Sequence, residues 1–189
     1  MVSIPALWLP ILLASVFVFI TSSVIHMALT AWHKNDFRAL PDEDAGLSAI
    51  GSLGLEPGDY LFPHTGGASE VMRSEEFQNK VKSGPIGMLT IMSPSAWLNM
   101  GPQLAQWFAY TLAVSVVAAY VAGVSLGPGA DYLTVFQITG TVAFACYAMS
   151  LPQRSIWWHQ SWGATTRTMI DGLVYACVTA GAFGWLWPV

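Results

Sequence analysis

Charge is what this sequence has least of. Only 10% of its 189 residues are Asp, Glu, Lys or Arg, against about a quarter in soluble domains, while 54% are hydrophobic. With 7 basic and 11 acidic residues the net charge is −4, so there is no basic surface to bind nucleic acid. Two cysteines, Cys146 and Cys177, are too few for a disulfide scaffold or a Cys-based zinc site. The chain has no H-E-x-x-H, no phosphate-binding G-x-x-x-x-G-K-[ST] and no C-x-x-C. No internal repeat, low-complexity tract or polybasic cluster interrupts it.

What is present is long apolar runs. Four of them, at 5–31, 103–125, 132–151 and 165–187, meet the requirement of about 20 residues for crossing a hydrocarbon core. In lipid each backbone amide must be satisfied within its own segment, so these runs predict helices. The first is longer than a signal-peptide core and has no basic residue before it, and it reads as a retained helix. Lys34, Arg38, Arg73, Lys80, Lys82, Arg154 and Arg167 all fall on one side of a four-span arrangement. The positive-inside tendency then places both termini outside and the 33–101 loop in the cytoplasm of a bacterial cell, in its inner membrane. Trp8, Tyr120, Tyr132, Trp185 and Trp187 suit the outer interface, and Trp32, Trp107, Trp157, Trp158 and Trp162 the inner one.

The expected organisation is a first membrane helix at 1–32, a cytoplasmic module at 33–101, and three further membrane helices within 102–189. A connection as long as 33–101 either folds or has a task. Asp42, Glu43 and Asp44 can open a helix carrying Leu47 and Ile50. Tyr60 to Phe62 and Ile86 to Met92 read as short strands, separated by a helix that Ser69 or Ser74 caps and Gly84 with Pro85 ends. The fold class is thus an all-α membrane protein with a small α/β-type insertion. So small a module has a marginal core of its own and should lean on the membrane surface or on a partner subunit.

Ionisable residues inside membrane helices are functional candidates by default, and two stand out, His26 and Asp171. Both lie roughly 6 to 9 Å below the inner boundary, at 1.5 Å per residue, and can form a polar pair if the first and fourth helices are neighbours. The simpler reading pairs Asp171 with Arg167, one turn away. His26 also belongs to a polar stripe, Ser15, Ser22, His26, Thr30 and His33, best read as interhelical hydrogen-bonding groups. Gly172, Ala176, Ala180 and Gly184 recur every fourth residue and form a groove for close helix packing, beside a row of Asp171, Tyr175 and Thr179. A second small-residue stripe comprises Ala118, Ala119, Ala122 and Gly123.

The four histidines, His26, His33, His64 and His159, lie toward the inner side and raise the case for a transition metal. On a straight helix His26 and His33 are about 10 Å apart and cannot share an ion. A site would need His64 or His159 from elsewhere, with Asp59, Glu70 or Asp171 as oxygen ligands. Haem would want two deep histidines where one is available. No cofactor and no catalytic residue is therefore predicted. These features favour a non-enzymatic multi-pass protein in the lipid bilayer, a homo-oligomer or an accessory subunit of a membrane complex. The alternatives are an oligomeric channel lined by His26 and Asp171, and a metal-binding or redox protein at the inner interface.

Overall fold

The computed structural model describes residues 1–189, which divide into two compact units, Met1–Arg38 with Gly101–Val189, and Ala39–Met100. The first unit is helical. A 3-10 turn, Ile4–Leu7, leads into α1, Trp8–Ser23. A π-helical turn, Val24–Ala28, and a short helix α2, Thr30–His33, follow it. After the second unit come α7, Gly101–Ser125, α8, Tyr132–Tyr147, α9, Pro152–Trp158, and α10, Trp162–Trp185.

Three stretches are long and apolar enough to cross a membrane: Ile4–Ala28, Gly101–Ser125 and Tyr132–Trp158. Helix α10 has the length, with 24 residues, but Arg167 and Asp171 make it less apolar than these three. Two of the expected runs are also less regular than their composition suggests. The first changes from α to π geometry at Val24 and breaks at Leu29, and the third is interrupted between Tyr147 and Pro152.

Helix α1 packs on α7 and α10, and α8 packs on the same two, so the four long helices close into a ring with α1 and α10 as neighbours. The most extensive contact is between α8 and α10. Small residues make it possible. A methyl group added at Gly172 would lie 3.0 Å from that of Ala148, and one added at Gly140 would lie 3.1 Å from that of Ala180. At Gly184 the Tyr132 ring occupies the corresponding space. The glycine and alanine row of α10 is thus used inside the chain, against α8. Leu7, Ile11, Ala14, Ala119, Ala122, Val135 and Phe183 fill one end of the bundle, and Val18, Val114, Ala143, Tyr147, Tyr175 and Ala176 the other.

Several buried serine and threonine hydroxyls are satisfied locally, whereas the buried Tyr147 hydroxyl has no hydrogen-bond partner. Ser15, Thr139 and Thr179 each donate to the carbonyl one turn earlier, at 2.7, 2.8 and 2.9 Å. Across helices, Ser15 Oγ donates to Ser115 Oγ at 3.1 Å and Trp107 Nε1 to Ser22 Oγ at 2.8 Å. The outward faces carry Leu12, Phe17, Ile20, Val116, Val117 and Leu173, all exposed. An apolar exterior over a well-packed, small-residue interior is the pattern expected where lipid replaces water.

The second unit contains α3, Glu43–Gly51, β1, Gly58–Phe62, α4, Ser69–Arg73, α5, Glu75–Ser83, β2, Gly87–Ile91, and α6, Pro94–Leu98. The strands pair antiparallel, with Gly58 opposite Ile91 and Phe62 opposite Gly87. Asp42 caps α3 by accepting from Ala45 N–H, and Ser74 caps α5 by accepting from Phe77 N–H. Gly84 ends α5 at φ 56°, a conformation that favours glycine. No side chain in this unit is fully buried.

Gly123 supplies the clearest test of the close packing, because a Cβ there would meet the Val2 carbonyl oxygen at 2.5 Å, whereas nothing lies within 4 Å of one at Gly127. Gly123→Ala is expected to lower stability by about 1 to 3 kcal/mol through overpacking, with Gly127→Ala near neutral. Melting of the detergent-solubilised variants, followed by near-UV circular dichroism, checks this.

Candidate metal centre

The site begins with the change of helix type. In the π turn the Leu29 N–H bonds to the Val24 carbonyl, five residues back, at 3.2 Å. Leu29 then leaves helical geometry at φ −98° and ψ 48° before α2 begins. The wider turn and the break shorten the distance that a straight helix would impose between His26 and His33. Their rings stack with centroids 4.7 Å apart. The expectation that seven residues keep these two histidines from one site is therefore corrected: it assumed unbroken α geometry. No glycine or proline lies between Val24 and His33, so no local signal marks the break.

The same rearrangement carries Trp32 and His33 onto α10. Trp32 Nε1 donates to Asp171 Oδ1 at 2.8 Å, and His33 Nε2 lies 2.9 Å from Asp171 Oδ2. His33 Nδ1 meets Asp36 Oδ2 at 2.7 Å, while Arg167 Nε donates to Asp36 Oδ1 at 2.7 Å and the Arg167 Nη2 group adds a second bond to the same oxygen. Arg167 thus pairs with Asp36, not with Asp171 as its one-turn spacing suggested. Physically, Asp171 points into the bundle at 3% exposure, with Oδ1 bonded to Trp32 and Oδ2 facing His33. His26 stands on the other flank, its Nε2 at 3.3 Å from the Tyr175 hydroxyl.

His26, His33 and Asp171 each offer one ligand atom, and these atoms lie within 4.8 Å of one another. Such a cluster can hold a metal ion. One detail bears directly on that capacity. Despite their 2.9 Å separation, His33 Nε2 and Asp171 Oδ2 do not have hydrogen-bond geometry, and both are buried without a hydrogen-bond partner. His33 Nδ1 is engaged by Asp36, which leaves Nε2 facing the Asp171 carboxylate. In the tautomer that donates Nδ1–H to Asp36, the two atoms face each other as acceptors, and a proton or a metal ion between them satisfies both. A carboxylate that receives the other ring N–H of a ligating histidine is a recurrent outer-shell partner in metal sites.

The remaining candidates lie elsewhere. His159 ends α9 in a left-handed conformation, and His64 belongs to the second unit, where its Nδ1 accepts from Gly66 N–H at 3.1 Å. Cys146 is half-buried and Cys177 exposed, both as free thiols. Gly123 to Gly127 spells G-x-S-x-G, but Ser125 is the last residue of α7 and its hydroxyl donates to Val121 O at 2.7 Å. A nucleophile elbow needs a strand-to-helix turn, so the letters carry no chemistry here. Asp36, Trp32 and Tyr175 join the site without having been singled out as ligand partners. For Asp36 a signal existed in its i+3 spacing from His33.

Burial opposes the charge on Asp36, but hydrogen bonds from His33 and Arg167 outweigh it and hold its carboxyl below the usual value near 3.8. A depressed folded-state value means that Asp36 contributes stability above that pH and loses it as pH falls through the lower folded value. At pH 7 Asp36→Asn is expected to cost about 1 to 3 kcal/mol, the worth of hydrogen bonds to a charged group. The gap between wild type and variant should close as the pH is taken from 6 to 3, and melting curves across that range measure it. A gap that widened on acidification would contradict this assignment.

No known protein family, curated protein or solved structure matches this chain, so its candidate chemistry rests on the geometry of His26, His33 and Asp171.

Proposed function

We propose that this chain is an integral membrane protein that holds a divalent first-row transition metal at His26, His33 and Asp171. The observation that carries the reading is the facing pair of buried, unpartnered acceptors, His33 Nε2 and Asp171 Oδ2. Two imidazoles and one carboxylate suit Zn²⁺ or Fe²⁺ and leave coordination positions open for a further ligand. Asp36 acts as the orienting carboxylate, and Arg167 in turn fixes Asp36. His26 is the outlying, exposed member and completes the set by closing inward, since ligands on one tetrahedral ion stand about 3.3 Å apart for bonds near 2.0 Å. In this reading α10 is a fourth span, whose Arg167 and Asp171 are tolerated because they face partners within the bundle. The basic residues favour a cytoplasmic position for the centre and for residues 39–100, with both termini outside.

A second reading, as an accessory subunit, is favoured by the unit Ala39–Met100. It has no fully buried side chain and exposes Trp97, Leu98, Met88 and Met92. A surface of that kind suits the membrane interface or another subunit of a complex. The reading is compatible with the metal centre and assigns it a structural or regulatory part. A homo-oligomer draws less support, since the small-residue row of α10 is engaged by α8 in the same chain.

Metal analysis of protein purified without chelators tests the main reading. About one zinc or iron per chain is expected, falling at least tenfold in His33→Ala and Asp171→Asn. The stripped wild type should bind one equivalent of Co²⁺ and develop visible absorption bands, with Asp171→Asn remaining colourless. A wild type that neither retains a metal nor responds to Co²⁺ would overturn the proposal.

A further inference from the structure

One residue of the ligand set, Asp171, also lines a groove on the outside of the bundle. A groove of about 430 Å³ runs between α10 and the end of α1 with its π turn, lined chiefly by Ile20, Val24, Leu29, Trp32, Val174 and Asp171. Asp171 and Trp32 therefore belong both to the groove and to the polar cluster. Ile20, Val24 and Leu29 are 54%, 50% and 55% exposed, so the groove opens sideways to whatever surrounds the helices. Around the apolar stretch Ile4–Ala28, that surrounding is the acyl region of a bilayer.

The groove is polarised along its length. Ile20 lies roughly 13 Å from Leu29 along the helix axis, at 1.5 Å per residue, and faces deeper into the apolar stretch. The polar end, at Asp171 and Trp32, is the end nearest the helix termini. An amphiphile in one leaflet has the same polarity, with its tail toward the midplane and its head at the boundary. The volume is that of a small-ligand site, with room for a single chain. No lysine or arginine lines it, so the cation at the polar end would be the metal itself.

From this polarity, size and charge we infer that the groove seats a long-chain fatty acid, its carboxylate directed at an open position of the metal held by His26, His33 and Asp171. The inference rests on the metal reading and names the class of its further ligand. Trp32, hydrogen-bonded to Asp171, lines the polar end, and the aliphatic residues exclude water from the tail.

The test uses the full chain in nanodiscs, stripped of metal and then loaded with Co²⁺. Added palmitic acid is expected to shift the Co²⁺ absorption bands. Palmitic acid carrying a mid-chain diazirine should label Ile20, Val24 and Val174 at least tenfold more with Co²⁺ present than absent. Val174→Trp and Ile20→Trp, each filling the groove, should lose that labelling while keeping the Co²⁺ bands of the wild type, and Leu173→Trp should behave as wild type. Labelling spread evenly over Val116, Val117 and Leu133, equal labelling with and without Co²⁺, or bands unmoved by palmitate would overturn the inference while leaving the metal centre standing. Failure of the wild type to bind Co²⁺ would be seen before any lipid is added and would overturn the metal reading itself.

Discussion

A carboxylate held at 3% exposure in a mostly apolar helix sets the terms for its neighbourhood. A carboxylate buried there must collect donors or a cation, because isolating its charge would cost more than most single interactions can return. The chain answers with Trp32 and His33, which reach Asp171 only because the first membrane helix widens and then breaks. That local departure from α geometry exposes backbone groups and disrupts a regular ladder. It is sustained by the side-chain contacts it makes possible, and π turns are often found at functional positions for this reason.

Once His33 is drawn to Asp171, the rest of the network follows from chemistry. Its second ring nitrogen needs a partner, Asp36 supplies one, and the charge on Asp36 is met by Arg167. The result is a line of alternating groups, Arg167, Asp36, His33 and Asp171, linking α10 back to itself through the segment after the first membrane helix. Two anions are thereby matched by one permanent cation and one imidazole. His33 stands between the two carboxylates, and with His26 nearby the cluster could hold a metal ion.

Much of the architecture was legible before any coordinates. The long apolar runs, the caps at Asp42 and Ser74, and the stop at Gly84 follow from local rules that act over a few residues. The small residues of α10 announced close packing, although only the fold identifies α8 as the partner. The candidate site was legible as a list and not as an assembly. His26, His33 and Asp171 were all marked, yet the arithmetic separating the histidines took a straight helix for granted, and nothing between Val24 and His33 contradicts that assumption locally. Arg167 misled for a related reason: spacing along α10 says which residues share a face, while burial of Asp171 and the approach of Asp36 are tertiary facts.

The two ends of the bundle are built differently. At one end Val2 N–H bonds to Gly123 O at 2.8 Å, Trp187 Nε1 to Gly127 O at 3.0 Å, and Gly129 N–H to Pro188 O at 2.8 Å, over a core of small, aliphatic and aromatic side chains without a charge. The other end contains the break at Leu29, the interruption after Tyr147, and the turn from α9 into α10. Helical regularity is therefore graded along the molecule, with the polar network at its irregular end. His26, His33 and Asp171 are thus brought together by short, irregular segments, while the close packing of the long helices lies toward the opposite end.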